Sequence, residues 1–143
     1  MKKGFSFFEV ILAIGIFSLV ASFFILLIIE SYRINEKTKD MSLATFLAQE
    51  GIEAVRSIRD SNFSELVPQA RSQCLAIENN RWVLKRIPNK DCIENIDNKF
   101  FRQIYIISVG TEKVKVISLV SWQPKIGPKR EVRLFSRVTN WVK

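Results

Sequence analysis

Glu9 is the only ionisable side chain between Phe5 and Ile29, a run that reads FSFFEVILAIGIFSLVASFFILLII. A carboxylate placed there has one main chemistry open to it, pairing with a cation or a protonated amine. Leaving it unpaired in an apolar helix costs on the order of 3 kcal/mol even on the mildest insertion scale. Taken alone, it lies about 6 Å along the axis from Phe5 and reads as an interfacial acid reaching for headgroups. Catalytic groups are scarce elsewhere. The chain has no histidine, and so lacks the commonest general base near neutral pH and the commonest transition-metal ligand. No metal-ligand spacing, Gly-rich phosphate loop or nucleophile with a histidine base occurs. An enzyme is disfavoured, and no cofactor or metal is expected. Asp91, Glu94 and Asp97 crowd one loop, but three loop acids are more often solvated than bound to a cation.

Two other groups of residues carry chemistry. Cys74 and Cys92 are the only cysteines. In an oxidising compartment they would form a disulfide worth roughly 3 kcal/mol on the chain-entropy model. In a reducing one they would be two small buried hydrophobes, and the sequence leaves both readings open. Lys113, Lys115, Arg133 and Arg137 fall on one side of two alternating segments, with Phe135 among them. Cations interleaved with an aromatic suit phosphate contact and base stacking, so a DNA-binding or anionic-ligand surface is one reading. A solvated sheet face is the reading the pattern favours.

The elements that position these groups follow from hydropathy and charge. The apolar run of 25 residues exceeds the thickness of a bilayer core, at about 1.5 Å of rise per residue against about 30 Å. Lys2 and Lys3 precede it, which places the N-terminus in the cytoplasm and Glu30 onward outside. A cleavable secretory signal is the competitor. Its apolar core would be about 7 to 15 residues long, and here the run continues past Ala21 and Ser22. The 143 residues carry 22 Lys+Arg against 14 Asp+Glu, a net charge of +8. That charge is lopsided. Phe5–Asp60 holds 5 basic and 7 acidic residues, whereas Ser61–Lys143 holds 15 basic and 7 acidic. A basic C-terminal part permits contact with nucleic acid, anionic lipid or an acidic protein, but does not specify a fold.

Lys2-Lys3-Gly4 followed by Phe5-Ser6-Phe7-Phe8-Glu9-Val10 resembles the prepilin cleavage and methylation motif of type IV pilins and pseudopilins. Five elements coincide: a short basic leader, Gly before the cut, Phe after it, Glu as the fifth mature residue, and an unbroken apolar helix. The resemblance implies that a prepilin peptidase cuts between Gly4 and Phe5 and that Phe5 is then N-methylated. It also implies that Glu9 makes an assembly contact with the Phe5 amine of a neighbouring subunit. Other pilin subunits, the peptidase, an inner-membrane assembly platform and membrane lipid are the implied partners. Ser6, Phe7 and Phe8 stand where the family more often has Thr, Leu and Ile. There is also no proline between Phe5 and Asp60, so no built-in helix break. That tilts the resemblance toward a minor pilin or pseudopilin rather than the principal fibre subunit.

Four segments are expected: a leader over 1–4, a membrane or filament-core helix over 5–29, an amphipathic continuation over 30–60, and a globular β-rich domain over 61–143. Met41, Ala44, Leu47, Ala48, Gly51, Ile52, Val55 and Ile58 recur at spacings of three and four, which marks one helix stripe. Gly51 weakens the helix by about 1 kcal/mol relative to Ala and admits close packing against a sheet. Glu50 and Glu53 with Arg56 and Arg59 read as helix-surface pairs. Strands are expected over 81–87, 100–109, 114–122 and 130–138, punctuated by Asn79-Asn80, Pro88-Asn89, Asp97-Asn98, Gly110-Thr111 and the Pro124–Pro128 stretch. The connections are too short for parallel crossovers, so pairing is antiparallel. The fold class is therefore α+β, a long N-terminal helix on a small antiparallel sheet, which the resemblance likens to a pilin lollipop. The favoured function is a minor pilin or pseudopilin; the alternatives are a DNA-binding pilin-like subunit and a single-pass membrane protein unrelated to pili.

Overall fold

The computed structural model describes residues 6–124 and 127–140. It divides into two units, one ending at Lys39 and one running from Asp40. Helix α1, Phe7–Ser61, belongs to both. Its length has a simple origin: 55 residues without proline, begun by an apolar run and continued by a segment rich in the stronger helix formers Ala, Leu, Glu, Lys and Arg. In the first unit every residue from Phe7 to Lys39 except Ala21 is exposed. Ser18 and Ser22 donate their hydroxyls to the carbonyls of Ile14 and Ser18, both at 2.8 Å. These back-bonds leave neither hydroxyl in need of water.

In the second unit the helix turns one stripe inward. Ala44, Leu47, Ala48, Gly51, Ile52, Ala54, Val55 and Ile58 are buried. Met41 stays exposed, because the burying surface begins one turn later, where Phe100, Val120 and Trp122 cover Ala44, Leu47 and Ala48. The helix stops where polar side chains take over its last carbonyls. The Ser61 hydroxyl donates to the carbonyl of Ile58 at 2.8 Å, and the extended Asn62 caps a short 3-10 turn, Phe63–Glu65, by accepting from the Ser64 amide.

Six strands follow: β1 Cys74–Glu78, β2 Arg81–Lys85, β3 Glu94–Ile96, β4 Phe100–Gly110, β5 Lys113–Trp122 and β6 Arg130–Thr139. β1 and β2 form a hairpin, and β3-β4-β5-β6 form an antiparallel meander in chain order. The fold class is α+β, with the long helix packed on antiparallel sheets. Turn chemistry sets the registers. Asn79 and Asn80 both take positive φ, 51° and 59°, the geometry of a two-residue hairpin turn that matches strand twist. Asp97 and Asn98 also take positive φ, 52° and 53°, in the three-residue connection between β3 and β4.

Strand alternation decides what faces the helix. Val114, Val116, Val120 and Trp122 of β5 are buried, as are Phe100, Ile104 and Ile106 of β4 and Val138 of β6. Val132 and Leu134 face the same way but are only half-buried, since β6 is an edge. The other edge of β4 is shared. β3 pairs with Phe100–Arg102, and beyond it Gln73 exchanges two backbone hydrogen bonds with Ile104 while the Gln69 amide donates to Ile106. Leu75, Trp82 and Leu84 of the hairpin join Ile52, Val55, Ile58 and Leu66 in the same core. Three strands differ from the sequence expectation. β1 and β3 were not expected, because five and three residues are too few for alternation to show. β2 ends at Lys85 rather than Ile87, where Arg86 leaves the ladder and reaches the carbonyl of Glu65.

Candidate functional site

The N-terminal site residues divide. Gly4 and Phe5 lie outside the described residues. Glu9 sits in the first turn of α1, exposed, with its amide donating to the Ser6 carbonyl at 2.9 Å. The first turn is also the positive end of the helix macrodipole. Around it the surface is predominantly apolar: Phe7, Phe8, Ile11, Leu12, Ile14, Phe17, Leu19 and the large apolar residues on to Ile29 are exposed. α1 is long and apolar enough at this end to cross a membrane, and none of that stretch is buried. An exposed apolar face of this extent marks a surface meant for lipid or for other helices rather than water.

Cys74 and Cys92 are bonded to each other, with their Cα atoms 5.3 Å apart. The bond ties the start of β1 to the segment before β3, and polar contacts sew the same place. The Cys92 amide donates to the Ser72 carbonyl, the Ser72 hydroxyl donates to the Cys92 carbonyl at 2.9 Å, and the Asp91 carboxylate accepts from the Ser72 amide at 2.9 Å. Asp91, Glu94 and Asp97 do not converge: Asp91 is spent on Ser72, Glu94 on Arg102, and Asp97 occupies a turn. Among the described residues no group of three or more His, Cys, Asp or Glu is placed to hold a metal ion.

The basic residues share one sheet face, but not as a uniform positive surface. Lys115 lies opposite Arg137, and Lys113 opposite Thr139 at the end of the ladder. Arg133 is engaged by Glu131 at 2.6 Å. Between them runs an apolar row, Tyr105, Ile117 and Phe135, in register across β4, β5 and β6. Phe135 is 74% exposed, and the Lys115 ammonium stands 5.4 Å from its ring centroid, within cation–π range.

The centre of the second unit holds a group that sequence reasoning missed. Arg102 is 2% exposed. Its Nε and Nη2 donate to the two oxygens of Glu94, both at 2.9 Å, its Nη1 donates to the Leu47 carbonyl at 3.1 Å, and Glu50 lies 3.4 Å away. One cation thus joins helix, β3 and β4. Glu50 therefore serves Arg102 rather than a cation on its own helix, whereas Glu53 does pair with Arg56 at 2.6 Å and Arg59 with Asp60. A signal was present. Phe100, Arg102, Ile104 and Ile106 alternate on one face, so Arg102 falls among core positions, and a buried guanidinium requires acid partners. Beside it opens a cleft of about 330 Å³ lined by Leu47, Trp82, Ile96 and both carboxylates.

No protein-family model matches this chain, and no curated protein or solved structure matches it either.

Proposed function

We propose that this chain is a minor type IV pilin or pseudopilin, a structural subunit that enters the cytoplasmic membrane through α1 and is then drawn into a filament by the same helix. The observation that carries the reading is the exposed apolar helix with a single acid, Glu9, in its first turn. It stands directly after the Lys2-Lys3-Gly4-Phe5 sequence. An acid in that position needs a cationic partner once water is excluded. Cleavage after Gly4 creates one, the amine of Phe5, and a neighbouring copy can present it. Such a pair would favour one axial register between subunits, a specificity role rather than a source of net stability.

The rest of the chain fits a structural role. The helix stripe from Ala44 to Ile58 anchors a small disulfide-linked β domain, and the disulfide suits a domain held outside the cytoplasm. Nucleic acid is the weaker partner for the basic face, because Arg133 is engaged by Glu131 and the middle of the face is apolar.

The test is N-terminal mass analysis of the full chain co-expressed with a prepilin peptidase. A mature start at N-methylated Phe5 is expected. An intact Met1, or a cut near Ala21, would overturn the proposal.

A further inference from the structure

β6 is the last strand of the four-stranded sheet, and among the described residues nothing pairs with its outer edge. The ladder determines which backbone groups that edge offers. The Asn140 amide donates to the Glu112 carbonyl at 2.9 Å, and the next pair inward is Thr139 with Lys113. Bonded and non-bonded pairs alternate along an antiparallel ladder. Even-numbered residues of β6 therefore aim their N–H and C=O groups at β5. Glu131, Arg133, Phe135, Arg137 and Thr139 turn theirs outward, and their side chains are the exposed ones. Natural edges are usually blunted by proline, a bulge, brevity or charged side chains, and the charges on the exposed face of β6, Glu131, Arg133 and Arg137, are of mixed sign, so they can pair as well as repel. β6 has ten residues, no proline, and an unbroken register with β5.

We propose that this edge pairs antiparallel with the same edge of a second copy of the chain, Arg133 of one lying opposite Phe135 of the other, so that two four-stranded sheets become one of eight. Charge selects both the partner and the register. With Arg133 opposite Phe135, Glu131 falls opposite Arg137, and two-fold symmetry makes each pair twice. Opposite charges and an Arg against an aromatic both favour a cross-strand pair, whereas like charges directly opposed disfavour it. A shift of two residues one way sets Arg133 against Arg133. The same shift the other way sets Arg133 against Arg137. A shift of one residue opposes an outward-facing backbone to one already bonded to β5. The proposed register escapes these penalties and offers about eight backbone hydrogen bonds; a shift of four that sets Phe135 against Arg137 also escapes them but forfeits both Glu131–Arg137 pairs. On the inner face it brings Leu134 against Leu134 and covers side chains that the edge leaves half-buried.

The experiment uses the full chain in membranes, carrying single cysteine substitutions. The two native cysteines are bonded to each other, so each variant has one free thiol. Opposed residues in a bonded antiparallel pair have Cα atoms about 5.5 Å apart, within disulfide reach. Arg133→Cys and Phe135→Cys chains bearing different tags are co-expressed and oxidised. The mixed product is expected at least fivefold above the product of either variant alone. Adding Glu131→Arg to both chains should lower it about tenfold, and adding Arg137→Glu as well should restore it. The proposal is overturned if the mixed product is absent, if it does not exceed the self-products, or if Glu131→Arg leaves it unchanged. Association through α1 brings chains together without fixing this register, so the readout stands whether or not the chain is a pilin.

Discussion

The approach of α1 to the sheet at Gly51 can be tested by adding one carbon. A Cβ built there would lie 2.6 Å from the Ser118 Oγ, 3.1 Å from the Ile104 Cδ1 and 3.3 Å from the Arg102 Cδ. On helix propensity alone Gly51→Ala would stabilise by about 1 kcal/mol. Overpacking a close-fitted core typically costs about 1–3 kcal/mol, and here the nearest atom is the short side chain of a fully buried serine whose neighbours include the buried Arg102 stem. The net expectation is a loss of about 1 kcal/mol. Ser118 supplies the control. Its hydroxyl is buried without a hydrogen-bond partner, a state that costs about 1–3 kcal/mol, so Ser118→Ala should be neutral or stabilising. In that background the 2.6 Å contact is gone, and Gly51→Ala should become neutral or favourable. The two substitutions should thus be coupled by about 1–2 kcal/mol. Denaturant unfolding of the full chain in detergent, followed by the fluorescence of the buried Trp122, measures all four corners of the cycle. Stabilisation of the parent by Gly51→Ala near the full propensity value would refute the close approach. So would additivity within about 0.5 kcal/mol, the scatter seen for independent sites.

Glu94→Gln replaces the main carboxylate on a guanidinium that is almost fully buried; a loss of about 2 kcal/mol is expected by the same unfolding assay, and an unchanged midpoint would remove Arg102 from the account of the core. Reducing the Cys74–Cys92 bond, whose partners are 18 residues apart, should lower stability by about 3 kcal/mol, read as the difference between unfolding curves with and without reductant. On the proposed function, Glu9→Ala should leave the mature N-terminus at Phe5 while sharply reducing the share of the chain recovered in filaments, because the proposed partner for the Phe5 amine would be lost. Equal recovery in filaments would reassign Glu9 to a merely interfacial position.

Much was legible from local pattern. The absence of proline and the changeover from an all-round apolar run to a stripe at three and four residue spacing marked α1 to within a few residues of its observed ends. Period-two alternation over eight or more residues did the same for β4, β5 and β6. These signals are strong because each long element repeats its own period several times. β1 and β3 repeat theirs once or twice; β3 exists because the longer β4 supplies its ladder, and β1 because the equally short β2 folds back on it while the disulfide anchors its start.

The sequence alone determined the apolar helix, its lone acid, the lysines that precede it and the alternation of the long strands, since these depend only on residue type and spacing. Only the tertiary structure decided that Glu50 and Glu94 converge on Arg102, that Gly51 is a point of contact, that Cys74 and Cys92 meet, and that β6 rather than β4 is left open. Each of these depends on which distant segments lie side by side. Spacing along a chain carries no information about that until helix and sheet have packed and buried groups must find partners.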